Sequence, residues 1–145
     1  MYSSRAGFSV VELVIALALF GFLAAIGVPI GLDAYRHYLL DSESKSLLSV
    51  MRRAEYAAMT NAYQKSYGVV VQPTQFLIFQ GASFASRDPL FDEAYLRNSS
   101  ISVVGPGEIV FRSLSGLPTV IGALSLSNGF ATQTVTVNEQ GMIVW

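Results

Sequence analysis

Residues 7–32 read GFSVVELVIALALFGFLAAIGVPIGL, and this stretch decides the fold. Its last twenty residues, from Leu13 to Leu32, carry no charged side chain. A helix of that length rises about 30 Å at roughly 1.5 Å per residue, which matches the hydrocarbon thickness of a bilayer. The sequence therefore predicts one transmembrane helix close to the N-terminus.

The residues before this span form a short polar stretch, 1–7, whose single charge is Arg5. A secretory signal has an apolar core of about 7–15 residues, followed by a small-residue cleavage site. Here the apolar run is longer, and no clear Ala-x-Ala site follows it. Hydropathy alone leaves two interpretations open: a signal anchor with Arg5 held on the cytoplasmic side, or a leader that is removed ahead of the helix.

One carboxylate, Glu12, interrupts the apolar segment near its start. A charged side chain at the centre of a bilayer costs about 2.5–3.5 kcal/mol, and less near the interface. Glu12 either stays hydrated close to the membrane surface or serves an assembly in which a positive charge reaches it. Position 12 is therefore a candidate functional site.

Composition and charge exclude several classes of function. The net charge is −1 and the nine basic residues are scattered, which argues against a general electrostatic role on nucleic acid. There is no cysteine, so disulfides, thiolate chemistry and cysteine-ligated metals are excluded. The only histidine, His37, has no catalytic constellation, and the acidic residues Asp88, Asp92 and Glu93 lack the ligand spacing of an EF-hand. We expect no catalytic activity, no cofactor and no metal.

The helical pattern continues beyond the membrane span. Apolar residues recur near the 3.6-residue period from 33 to 66, and Asp41 and Lys45 have the i,i+4 spacing of a helical ion pair. We expect one helix with a transmembrane and assembly half, 8–32, and an amphipathic half, 33–66, that lies against a sheet. Pro29 lacks an N–H donor and predicts a kink in the first half.

Residues 67–145 are predicted to form a β-rich globular head. The segment 81–99 is predicted to be a polar loop, where any binding specificity would sit. The resulting fold class is α+β, with a long N-terminal transmembrane helix that continues into a head and packs against antiparallel β-sheet. Strands are expected at Tyr67–Val71, Gln75–Phe79, Ile101–Val104, Glu108–Arg112, Val120–Ser127, Thr132–Asn138 and Met142–Trp145.

The N-terminal stretch resembles the signature of type IV pilins and type II secretion pseudopilins. The resemblance lies in GFSVVELVIALA at 7–18, followed by GFLAAIGVP at 21–29. It implies the type IV pilin fold, cleavage by a prepilin peptidase between Gly7 and Phe8, and N-methylation of Phe8. Residues 1–7 would then be the leader peptide. It also implies that Glu12 meets the N-terminal amine of a neighbouring subunit and sets the axial register of a filament.

The same resemblance implies a location and a set of partners. The chain would be inserted once in the cytoplasmic (inner) membrane, with its head outside the cytoplasm, and then be drawn into a pilus or pseudopilus filament. Its partners would be other pilin or pseudopilin subunits, the prepilin peptidase, the membrane and, indirectly, the assembly platform and its ATPase.

The closing strands resemble a narrower group, the H-type pseudopilins and FimT-type minor pilins, in ALSLSN at 123–128 and VTVNEQGMI at 135–143. We therefore expect a minor pilin or pseudopilin. A major pilin, and a membrane-anchored binding module that does not polymerise, remain open as alternatives. Some FimT-type proteins bind DNA, but after Arg97 the only basic residue is Arg112, so nucleic acid is not expected as a partner.

Overall fold

The computed structural model describes residues 7–145, and the predicted leader therefore lies outside the described residues except for Gly7. The chain divides into two compact units, an N-terminal unit that ends at Arg36 and a head formed by residues His37–Trp145. The α+β class is confirmed. The regular elements are α1 (Val10–Met59), β1 (Tyr67–Val71), β2 (Gln75–Gln80), β3 (Glu93–Leu96), β4 (Ser102–Val104), β5 (Glu108–Phe111), β6 (Gly122–Ser127), β7 (Thr132–Val137) and β8 (Ile143–Val144).

Helix α1 supplies the whole regular structure of the N-terminal unit. It begins at Val10 and continues without interruption through position 29. The kink at Pro29 therefore stays a prediction. The described part of the chain has one helix that is long and apolar enough, by length and composition, to cross a membrane.

Within the head, α1 ends at Met59, and the expectation that it reaches Ser66 was wrong. Asn61 adopts a left-handed conformation with φ 53°, which stops the helix. The Ala58 carbonyl accepts hydrogen bonds from the N–H of Asn61, at 3.0 Å, and from the N–H of Leu114, at 2.9 Å. The helix thus ends just before a left-handed asparagine, with no glycine or proline near its last turn, and Leu114 connects this end to a segment distant in sequence.

The eight strands form two four-stranded antiparallel sheets. Sheet 1 has the order β3-β2-β1-β5, and sheet 2 has the order β4-β6-β7-β8. β1 and β2 lie at two of the predicted strand positions and pair as an antiparallel hairpin, with Tyr67 opposite Gln80. Strand β3 lies inside the stretch predicted to be a loop, 81–99, so that prediction was wrong for residues 93–96.

The core of the head lies between α1 and the inward faces of both sheets. Sheet 1 contributes Val69 and Phe76, and sheet 2 contributes Leu126 and Val135, all of them buried. The predicted amphipathic pattern therefore positions one stripe of the helix against the strands. The buried residues of that stripe are Leu40, Leu47, Leu48, Val50, Met51, Ala54 and Ala58.

Sheet 1 is also buried on its other face. Leu77, Phe79 and Val110 point away from α1 and are at most 4% exposed. Residues 81–92, named the cover segment here, pack on this face, where the Phe84 ring contacts the Phe79 ring edge to face with 5.7 Å between ring centres. The guanidinium of Arg87 lies 3.9 Å from the centre of the Phe84 ring and closes this second apolar layer.

A buried ion pair joins α1 to the segment after β3. Arg97 Nε lies 3.5 Å from Glu43 Oε1, and the two side chains are only 5% and 9% exposed. Glu43 also accepts a hydrogen bond from the N–H of Asn98 at 3.1 Å. The Arg97 guanidinium donates to the carbonyls of Gln72, at 3.2 Å, and Ile101. These contacts compensate in part for the removal of both charges from water, because the buried Arg97 Nε takes part in the ion pair but forms no hydrogen bond.

Candidate assembly segment at the N-terminus

The predicted cleavage junction precedes the helix. Gly7, Phe8 and Ser9 have no regular secondary structure, and the Phe8 side chain is 84% exposed. The described backbone on the C-terminal side of the Gly7–Phe8 bond is therefore accessible. In this arrangement a cut between these residues would leave Phe8 at the new N-terminus, two residues ahead of α1.

The start of α1 is fixed by Ser9. Its Oγ accepts a hydrogen bond from the N–H of Val11 at 3.3 Å, and its carbonyl accepts one from Leu13 at 3.1 Å. Glu12 follows three residues after this cap, which is the spacing of a capping box. Sequence reasoning missed this pattern, although a Ser-x-x-Glu before an apolar run is readable from the sequence.

Glu12 is exposed and lies in the first turn of α1. A carboxylate there is favoured by the partial positive charge of the unpaired N–H groups at the helix N-terminus. It lies only four residues after Phe8, so it is close in sequence to the ammonium that processing would create. The structure thus places a negative charge at the same end of the helix as that future positive charge.

The apolar side chains of the N-terminal unit are exposed. An 18-residue window of α1 has a mean hydropathy of 2.6 and no buried residue. A surface of this kind requires lipid or other apolar helices as its surroundings. On one side, Ala16, Leu19, Phe20 and Leu23 line an apolar groove of about 270 Å³.

The comparison with known families agrees with this geometry. Residues 2–28 match the family model described as the prokaryotic N-terminal methylation motif. The N-terminal segment is therefore similar to that of type IV pilins and pseudopilins. The predicted pilin or pseudopilin family is thereby confirmed, whereas the H-type branch stays a prediction. No curated protein and no solved structure gives a significant match.

The match is consistent with the helix-and-sheet architecture, and the motif together with the apolar helix indicates membrane anchoring. The pilin family is structural rather than enzymatic. It associates with other pilin subunits and with a prepilin peptidase. The matched residues end at 28, so the match does not extend to the head.

The other residues considered from the sequence are separated in the head. His37 is exposed on α1. Asp88 accepts a hydrogen bond from the N–H of Leu90 at 3.1 Å and so caps a short 3-10 turn. Asp92 forms an ion pair with Arg87 at 2.9 Å. In residues 7–145, no three His, Asp or Glu side chains converge in a manner that could hold a metal ion.

The third acidic residue of that region, Glu93, belongs to a cluster that sequence reasoning missed. Arg53 donates to both of its carboxylate oxygens, at 2.6 and 3.1 Å, and the Tyr95 hydroxyl donates to it at 2.9 Å. The hydrogen bond from Arg53 lowers the pKa of Glu93, and Glu93 raises the pKa of Arg53. Burial, with a further contribution from Glu93, raises the pKa of Tyr95. Arg53 and Glu93 are 40 residues apart, so no sequence spacing could have indicated the pair.

Proposed function

We propose that this chain is a minor pilin or pseudopilin, a structural subunit of a type IV pilus or a type II secretion pseudopilus. It is cleaved between Gly7 and Phe8, is N-methylated at Phe8 and polymerises through α1. One observation carries this proposal: α1, whose N-terminal apolar half is exposed, begins two residues after Phe8 of the glycine–phenylalanine junction and has a carboxylate, Glu12, in its first turn.

The physical reason for polymerisation lies in the charges at the helix start. In a filament the apolar helices would surround one another, and the Glu12 carboxylate would enter a medium of low dielectric constant. An unpaired carboxylate in such a medium is unfavourable. The cost at the centre of a bilayer is about 2.5–3.5 kcal/mol. The ammonium of Phe8 on a second subunit neutralises it. Correct axial register is then the arrangement in which every Glu12 meets an amine.

The remaining parts of the proposal follow from the family. The subunit resides in the cytoplasmic membrane with its head outside the cytoplasm, is extracted by an assembly platform and its ATPase, and catalyses no reaction of its own. The minor rather than major role is supported by the resemblance of residues 123–143 to H-type pseudopilins. Copy number in sheared filaments tests this point, because a minor subunit is present in far fewer copies than the major one.

Processing is tested by the mass of the native protein. The chain is purified from its native membrane and examined by intact mass measurement and N-terminal sequencing. We expect it to begin at N-methylated Phe8, and to keep residues 1–7 in a strain that lacks the prepilin peptidase. If the leader is retained in a strain with an active peptidase, the proposal is wrong and an anchored binding module becomes the better assignment.

Assembly is tested by Glu12→Ala, with Asp33→Ala as the matched control. Asp33 is an exposed carboxylate of the same helix, and its ion pair with Arg36 is local. We expect Glu12→Ala to be processed and inserted normally but to be lost from sheared filaments, and Asp33→Ala to assemble as the wild type does. Normal incorporation of the Glu12 variant would contradict the proposed role of this carboxylate.

A further inference from the structure

The outer strand of sheet 1 has a free backbone edge. β3 is the terminal strand in the order β3-β2-β1-β5, and among the residues that the structure describes its sole strand partner is β2. The N–H of Arg97 donates to the carbonyl of Thr74 at 3.0 Å, toward the β2 side. Backbone direction alternates along an antiparallel strand, so the N–H and C=O groups of Ala94 and Leu96 point away from β2. Ala94 is exposed, and Leu96 is 86% exposed.

A cleft lies beside this edge, between the last turns of α1 and the inward face of sheet 1. Its volume is about 260 Å³. This volume is below the range of about 300–1,000 Å³ typical of small-molecule sites, so the cleft fits one side chain better than a whole cofactor. The lining residues include Ala57, Ala62 and Ile78 as apolar surface, with Tyr56 and Thr60 beside them.

The cleft and the free edge are adjoining because Glu93 belongs to both. It is the first residue of β3 and it lines the cleft together with Arg53. The two charges satisfy each other through two hydrogen bonds, so they offer no uncompensated charge for an ionic ligand. Tyr56 is 69% exposed. Exposed tyrosine and arginine beside an apolar recess is the composition typical of a protein-binding hot spot.

We propose that this cleft and the β3 edge form a docking site for an extended peptide segment of a protein partner. The peptide adds a strand next to β3, pairs with the outward backbone groups of Ala94 and Leu96, and inserts one apolar or aromatic side chain into the cleft. A strand edge selects this occupant, because its alternating donors and acceptors are complementary to another backbone and not to a glycan or a lipid. The site is independent of filament assembly through α1.

The test begins with the full processed chain, held in detergent micelles and immobilised. A random linear peptide library displayed on phage is selected against it, and the enriched peptides are synthesised with a fluorescent label. Dissociation constants are measured by anisotropy against the wild type, Tyr56→Ala and Tyr38→Ala. Tyr38 is the matched control, because it is a tyrosine of α1 that is 67% exposed and does not line the cleft. We expect at least a tenfold loss with Tyr56→Ala and no change with Tyr38→Ala.

Strand pairing is tested separately by methylating the backbone nitrogens of the best peptide one at a time. We expect affinity to fall at least tenfold at every second position, because alternate N–H groups of the added strand face β3. Ala94→Pro should cause a similar loss, since it removes an outward donor and leaves the bonds to β2 in place. The proposal would be overturned if no peptide were enriched, or if the two tyrosine variants bound the peptide equally well. It would also be overturned if methylation were tolerated at every position. Selective binding of a glycan array in place of peptides would overturn it as well.

Discussion

Removal of Arg97 should destabilise the head far more than removal of an exposed basic residue on the same domain. Arg97→Met leaves the Glu43 carboxylate, 9% exposed, without its ion-pair partner. It also removes donors from the carbonyls of Gln72 and Ile101. Loss of one partner of a buried ion pair costs about 3–5 kcal/mol. In a domain of roughly 100 residues, each kcal/mol lowers the melting temperature by about 4–8 °C. We therefore expect the melting temperature to fall by about 12–40 °C.

The measurement is thermal unfolding of the full chain in detergent micelles, followed by near-UV circular dichroism of the aromatic side chains in the head. Lys45→Met is the control. It removes the ion pair in which Lys45 Nζ lies 2.7 Å from Asp41 Oδ2, and the two side chains are 57% and 35% exposed. For such an exposed pair we expect the free energy of unfolding to fall by about 0.3–0.5 kcal/mol. If Arg97→Met lowers the melting temperature no more than Lys45→Met, the argument from burial is refuted.

A double variant separates loss of the charge pair from loss of packing. Glu43→Leu combined with Arg97→Met replaces both charges by apolar side chains and leaves no unpaired carboxylate. A buried pair replaced in this way is often close to neutral in stability, so the double variant should recover much of the stability that Arg97→Met loses. A double variant as unstable as the sum of both single variants would show that the two residues do not interact energetically.

Two further predictions concern sheet 1. The pKa of Glu93 is lower in the folded protein than in the unfolded chain, where it is about 4.5. The ion pair with Arg53 therefore stabilises the fold at pH values above 4.5, and this stabilisation is lost as the pH falls through the folded pKa. At pH 7 the free energy of unfolding of Glu93→Gln should be about 0.5 kcal/mol lower than that of the wild type, a small difference because the pair is partly exposed. Near pH 3 the two proteins should be equally stable. Urea titrations at both pH values measure this. Gly68→Ala would place a Cβ 2.4 Å from Phe79 Cζ and should cost about 1–3 kcal/mol in the same assay. Gly107→Ala meets no atom within 4 Å and should cost little; equal losses in both glycine variants would contradict the packing argument.

Features that depend on local pattern could be predicted from the sequence. The β1–β2 hairpin follows from two strand-like runs separated by Gln72-Pro73-Thr74, and β6 and β7 follow from alternating apolar and polar residues. The exposed apolar half of α1 follows from twenty residues without a charge. In each case neighbouring residues carry the whole signal, so one sequence was sufficient.

Features that depend on contacts between distant segments could not be predicted. The hydrogen bond from the N–H of Leu114 to the carbonyl of Ala58, at the last turn of α1, joins residues 56 positions apart. The ion pair of Glu43 and Arg97 joins residues 54 positions apart, and no spacing rule connects them. The cleft beside Glu93 likewise arises only after β3 pairs with β2. These interactions exist because folding brings the segments together.

The burial of both faces of sheet 1 limits where the protein can be altered for labelling. The cover segment, 81–92, contains no β-strand, so secondary structure alone would suggest it as a position for an epitope tag. An insertion would lift Phe84 from Phe79 and expose an apolar layer to water. The β6–β7 turn is the better position, because the space around Gly129 is open and the strands on either side have polar outward faces. Filaments could be made visible to a microscope from that turn without disturbing the packing that holds the head together.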